Sequence, residues 1–178
     1  MRLQRSVLTG FGMLLVVLSP AHADGPSFES RLSGAQSAVF DMDVFVPGGT
    51  SSQAAGRVRV QFNEALSTAF VVLRVTNLTG SFQAAHFHCA RPGQNGPVAF
   101  GLVGPGPLTF DGERLVGRLT NLDFNDADCE PVVGRPVNNI AALALAMRDG
   151  LIYANVHTDM FPAGEVRAQL LPDQGSGN

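Results

Sequence analysis

The sequence predicts an all-β domain, an antiparallel Greek-key β-sandwich or open barrel with one short helix near 140–149. Apolar and polar residues alternate with a period of two in several short runs. Turn-forming clusters separate those runs, and only one segment has the Ala, Leu and Met content of a helix. Short strands at such spacing build sandwiches and barrels.

From the N-terminus, Arg2 and Arg5 precede an apolar run from Phe11 to Leu18. Ser19-Pro20 breaks it, and Ala21-His22-Ala23 has the small-x-small form that a signal peptidase cleaves. Residues 1–23 are therefore expected to be a secretory signal peptide, which gives a periplasmic or secreted protein starting near Asp24. The apolar run is too short for a permanent helical span, and no later stretch supplies about 18 uninterrupted apolar residues. Residues 24–36 are read as an N-terminal segment, 37–172 as one β domain, and 173–178, with Gly175-Ser176-Gly177, as a disordered tail.

Within the domain, Ala38 to Val46 is a strand candidate that stops at Pro47-Gly48-Gly49. Arg57 to Glu64 places Arg57, Arg59, Gln61 and Asn63 on one side and Val58, Val60 and Phe62 on the other, the pattern of a half-buried antiparallel strand. Thr68 to Val75, rich in Val and Phe, follows a short turn and should close a hairpin with it. Phe82 to Cys89, Val98 to Val103, Arg114 to Thr120, Leu151 to His157 and Glu165 to Leu171 complete the set. Turns fall at 91–97, at Gly104-Pro105-Gly106-Pro107 and at Asp111-Gly112. Ile140 to Arg148 reads as the helix, capped by Asn138-Asn139 and stopped at Asp149-Gly150, with Leu143 and Met147 facing the core.

The chain has 12 basic residues, all Arg, against 15 acidic ones. Removing Arg2 and Arg5 leaves 10 against 15, a mature charge near −5. No basic stripe or basic amphipathic helix is visible along the sequence, which argues against nucleic acid or an anionic membrane as partner. Two cysteines in an exported chain point to a Cys89–Cys129 disulfide, with a metal-thiolate role for Cys89 as the alternative.

Of the four histidines, His22 leaves with the leader. His86 and His88 are two apart in a predicted strand, so both leave one face while Ala85, Phe87 and Cys89 leave the other. In the later strand Tyr153, Asn155 and His157 share a polar face opposite Ile152, Ala154 and Val156. If the two strands lie close together, three imidazoles converge on a site that suits copper, or zinc as alternative, better than calcium or magnesium. Spacing alone leaves a second reading open: a hydrogen-bonded polar network satisfied by Asn155, Thr158 and Glu165. Glu165 beside Arg167 reads as a strand-face salt bridge, or as a partner for His157.

Other chemistry finds little support. Asp123, Asn125, Asp126, Asp128 and Glu130 fail the EF-hand spacing, because Ala127 and Asp128 stand where a ligand and Gly are required. The 91–97 stretch lacks a phosphate-loop signature. No nucleophile elbow occurs, and no catalytic residue is assigned.

The segments Ala85-His86-Phe87-His88, Asn95-Gly96-Pro97-Val98, Gly150 to Thr158 and Pro162 to Leu170 together resemble the CHRD domain, the module named after chordin. The likeness runs from about Ser37 to Leu171, in the family's motif order, with Ala168 in place of the usual glycine. It implies a compact antiparallel β domain, exported, without an established reaction, and closer to a binding module than to an enzyme. By motif, His86, His88 and His157 fall on the family's histidine positions, with Tyr153, Asn155, Thr158 and Glu165 around them. The expected function is an exported non-catalytic module binding copper through three histidines. The alternatives are a protein or glycan interaction module with structural histidines, and a superoxide-dismutase-like redox enzyme, whose bimetallic site would need more histidines than three.

Overall fold

In the computed structural model, period-two alternation becomes strand wherever it is regular. The model describes residues 25–41, 44–47, 49–103, 106–124 and 128–172; the expected leader and tail lie outside the described residues. The strands are β1 Ser27–Ser33, β2 Ala38–Asp41, β3 Val44–Pro47, β4 Ala55–Phe62, β5 Thr68–Thr76, β6 Phe82–Cys89, β7 Val98–Val103, β8 Arg114–Thr120, β9 Ile152–Thr158 and β10 Val166–Gln169. A one-turn helix α1, Glu130–Val133, precedes the nine-residue helix α2, Ile140–Arg148. Eight strands form a single antiparallel sheet in the order β7-β6-β9-β10-β1-β4-β5-β8. Unbroken hydrogen bonding across all eight selects the open-barrel form of the expected architecture over two separate sheets.

The concave face holds the core. Val58, Val60 and Phe62 of β4, Val71 and Leu73 of β5, Phe87 of β6, Leu102 of β7, Leu115 and Leu119 of β8, and Ala154 and Val156 of β9 all join one buried apolar cluster. Helix α2 adds Ile140, Leu143 and Met147, each fully buried. Asn139 caps it by accepting from the Ala142 N–H at 2.9 Å, a contact that satisfies a donor left orphaned by the first turn.

Two expectations are corrected. Residues 24–36 are no mere lead-in, because β1 pairs along its whole length with β4 and meets β10 at Ser33↔Arg167. Phe28 and Leu32 anchor it in the core, while Ser30 between them interrupts the apolar alternation that marks a strand. Ala38 to Val46 is not one strand but a hairpin, with β2 and β3 paired as a separate two-stranded sheet.

At the sheet's opening, residues 106–110 link the two outermost strands. Leu108 donates its N–H to the Leu102 carbonyl at 2.9 Å, Pro107 bridges Val103 of β7, and Phe110 bridges Leu115 of β8. The Phe110 ring stacks on Phe82 with centroids 4.1 Å apart.

Candidate metal centre

The central strands β6, β9 and β10 turn one face to the core and the other to a second buried layer. Register sets His88 opposite Tyr153, His86 opposite Asn155 and Ala84 opposite His157; across β9, Gln169 lies opposite Tyr153 and Arg167 opposite Asn155. An irregularity between Phe82 and Ala84 sets the register at the His157 end. The outer face of an antiparallel sheet ordinarily meets water. Here Tyr153 is 1%, Arg167 2% and Asn155 3% exposed, because residues 91–97 and 162–164 fold over them.

Under this cover the three imidazoles converge, each offering one ligand nitrogen with all three within 4.8 Å of one another. Three atoms so placed share a point within about 2.8 Å of each, so side-chain adjustments of under about 1 Å reach typical imidazole–metal bonds of about 2.0–2.1 Å. His88 Nδ1 lies 3.0 Å from the Gly96 carbonyl and His157 Nδ1 lies 2.9 Å from the Pro162 carbonyl. A carbonyl only accepts, so both rings carry their proton on Nδ1 and turn a bare Nε2 lone pair elsewhere. The Nε2 of His88 is buried without a hydrogen-bond partner. That of His157 meets His86 Nδ1 at 3.2 Å, which makes His86 the donor. A carbonyl holding the far nitrogen is the arrangement that orients metal-binding histidines.

The electrostatics keep these rings neutral. Burial, reinforced by the nearby His157, lowers His86 to about 4. Burial also lowers His88 to about 4, with the hydrogen bond to Gly96 opposing and His86, His157 and Arg167 adding to the effect. His157 is lowered too, by burial, against the hydrogen bond it donates to the Pro162 carbonyl. Each ring therefore keeps one unprotonated nitrogen at neutral pH; that of His88 has no partner, and that of His157 accepts from His86, a hydrogen bond that a metal ion would replace.

The surrounding residues divide into two groups. Tyr153 lies parallel to His88, centroids 4.9 Å apart, and carries the Arg167 guanidinium over its ring at 3.9 Å. Arg167 donates to Gln169 Oε1 at 2.7 Å and to the carbonyls of Gln36, Arg91 and Gln94. Asn155 donates to the Ala163 carbonyl, leaving its buried Oδ1 without a partner. The amide lies flat on Gly164, where any Cβ would collide with it and φ is +119°. Asn155 and His88 line one cavity of about 440 Å³, and His86 and His157 line another of about 480 Å³.

Thr158 and Glu165 instead build the frame. The fully buried Glu165 carboxylate accepts from Ser52 at 2.5 Å, from the Thr79 N–H at 2.8 Å and from Thr158 at 2.8 Å. Among the described residues it forms no ion pair with Arg167 and no hydrogen bond with His157, contrary to both sequence expectations, because the two side chains are drawn to different loops. Cys89 is bonded to Cys129 and faces the core, which removes the thiolate alternative. What sequence reasoning missed are the ring-holding carbonyls of Gly96 and Pro162. Their signal lay in the Asn95-Gly96-Pro97 and Pro162-x-Gly164 turns, since Gly96 packs on the Cys89 carbonyl with no space for a side chain.

No curated protein and no solved structure matches this chain. A family model described as the CHRD domain matches residues 28–170, most of the chain, and by that match the protein belongs to the CHRD-domain family.

Proposed function

We propose that this protein is an exported, non-catalytic CHRD module that holds one transition-metal ion, copper in preference to zinc, through His86, His88 and His157. The observation that carries the proposal is the trio of neutral imidazoles within 4.8 Å, two of them fixed at Nδ1 by backbone carbonyls. Oxygen-seeking ions would want carboxylates. Among the described residues the metal-ligating group consists of imidazoles only, and divalent affinities for a nitrogen set rise to a maximum at Cu(II). A disulfide within the domain supports an oxidising compartment, where copper is to be buffered, stored or sensed.

Titration of the protein lacking residues 1–23 with Cu(II) and Zn(II), by calorimetry against a competing chelator, tests this. One Cu(II) per chain, bound more tightly than Zn(II), is expected, with each of His86→Ala, His88→Ala and His157→Ala weakening binding at least about 10-fold. Unchanged binding in all three variants would falsify the site. The copper-loaded protein is expected to show no superoxide turnover.

The 3.2 Å contact between His86 and His157 favours a second reading, in which the histidines are a structural network of an interaction module binding a protein or glycan. That reading expects no metal uptake, and it expects the alanine variants to lose about 1–3 kcal/mol of stability without any metal present.

A further inference from the structure

Among the described residues nothing covers the other half of the same outer sheet face, and the sheet assembles on it a basic surface that the linear sequence conceals. Strand pairing sets Arg31 opposite Arg57, Arg57 opposite Arg74 and Arg74 opposite Arg114, one row across β1, β4, β5 and β8. Neighbouring strands lie about 4.8 Å apart, so the row runs about 14 Å. Arg59 and Arg118 belong to the same face, and all these arginines are exposed. Between them stand Phe70, 48% exposed and opposite Arg118, and Val116, 42% exposed.

Like charges set directly opposite one another cost a sheet stability. The carboxylates here offset only part of that: Glu29 pairs with Arg57 and Asp111 with Arg114. Among the described residues Arg31, Arg59, Arg74 and Arg118 form no ion pair. A net-negative protein that keeps such a row exposed carries a local field suited to an anion. The absence of a basic stripe along the sequence is thus reversed in three dimensions, because the row draws on residues spread from 31 to 114.

We propose that this face binds an acidic polysaccharide, with guanidinium groups pairing with successive carboxylates or sulfates and Phe70 taking the apolar face of a sugar ring. Guanidinium forks match both anions in bidentate geometry. A face that sets a row of guanidinium groups beside exposed Phe70 and Val116 suits a chain whose every unit has an anionic group and a C–H face. Single-stranded nucleic acid favours a series of aromatic platforms, and Phe70 is the one exposed aromatic on this face among the described residues. An anionic membrane is broad enough to set its charge against the acidic remainder of the molecule as well, which a single chain lying along the row does not.

The test uses the purified protein with heparin and polygalacturonate as sulfated and carboxylated probes, by calorimetry at about physiological salt. Binding that weakens as salt rises is expected. The double variant R31Q/R74Q should bind at least about 10-fold more weakly, and Phe70→Ser also more weakly. Arg148→Gln, in the last turn of α2, should bind as the unaltered protein does. R31Q/R74Q removes repulsion and should melt no lower than the parent; if it does, R59Q/R118Q takes its place with the same expected loss. Failure of both probes to bind, or undiminished binding by the folded double variant, would overturn the proposal. Tighter binding of oligothymidine or phosphatidylglycerol vesicles, or dimerisation through this face in gel filtration, would also overturn it.

Discussion

His88 is gripped on two sides, by the Gly96 carbonyl at one ring edge and by the parallel Tyr153 ring on its flat face. Both contacts hold a neutral imidazole, and neutrality has a consequence for acid stability. In the unfolded chain His86 and His88 titrate near their ordinary value of 6.5, whereas in the folded metal-free protein they stay neutral down to about 4. Between those values the unfolded chain binds more protons, so stability falls as pH drops through the window and is level above it. Melting temperatures from about pH 7.5 to about pH 4.5 should show this decline, and the His86→Ala/His88→Ala double variant should show a flatter one. A parent protein equally stable at both ends would contradict the assignment of neutral rings. Glu165 permits a separate experiment, since its carboxylate accepts from Ser52 and Thr79, both distant in sequence, as well as from nearby Thr158. Glu165→Gln sets amide hydrogens against donors already present, and urea denaturation should register a loss of about 2–4 kcal/mol.

Strands β4 to β10 were legible from the sequence, whereas β1 and the division of Ala38 to Val46 into β2 and β3 were not. β4, β5, β6, β8 and β9 appear where period-two patterning places them, and α2 starts and stops at its predicted caps. β1 escaped notice because Ser30 stands where an apolar residue would complete the pattern, and its place between β4 and β10 is a long-range choice that local propensity does not encode. The shared face of His86 and His88 followed from alternation alone. Their meeting with His157 required β6 and β9 to be neighbours, which the sequence could state only as a condition. The arginine row is the extreme case, for no window along the chain contains it. At this scale the Cys89–Cys129 link matters as well: it fastens the end of β6, next to His88, to the start of α1 across 40 residues. Closing a loop of that length is worth about 2–4 kcal/mol, so reduction or Cys129→Ser should lower the denaturation midpoint accordingly. A midpoint unmoved by dithiothreitol would show that packing alone suffices.

For the molecule as a whole, β1 is the seam. It is the strand that joins β7-β6-β9-β10, which presents the histidines, to β4-β5-β8, which presents most of the exposed arginines. Removal of residues 1–24 is expected to leave circular dichroism and melting unchanged, whereas removal through Ser33 should abolish the cooperative transition. A cooperative melt in the longer truncation would mean that the halves can rejoin without it. The short bridge at 106–110 acts on a different property. An open sheet has two rims of unpaired amides and carbonyls that can recruit passing strands into fibrils, and this stretch takes up hydrogen-bonding positions on both rims at once. The domain can thus stay dispersed when crowded against its own copies.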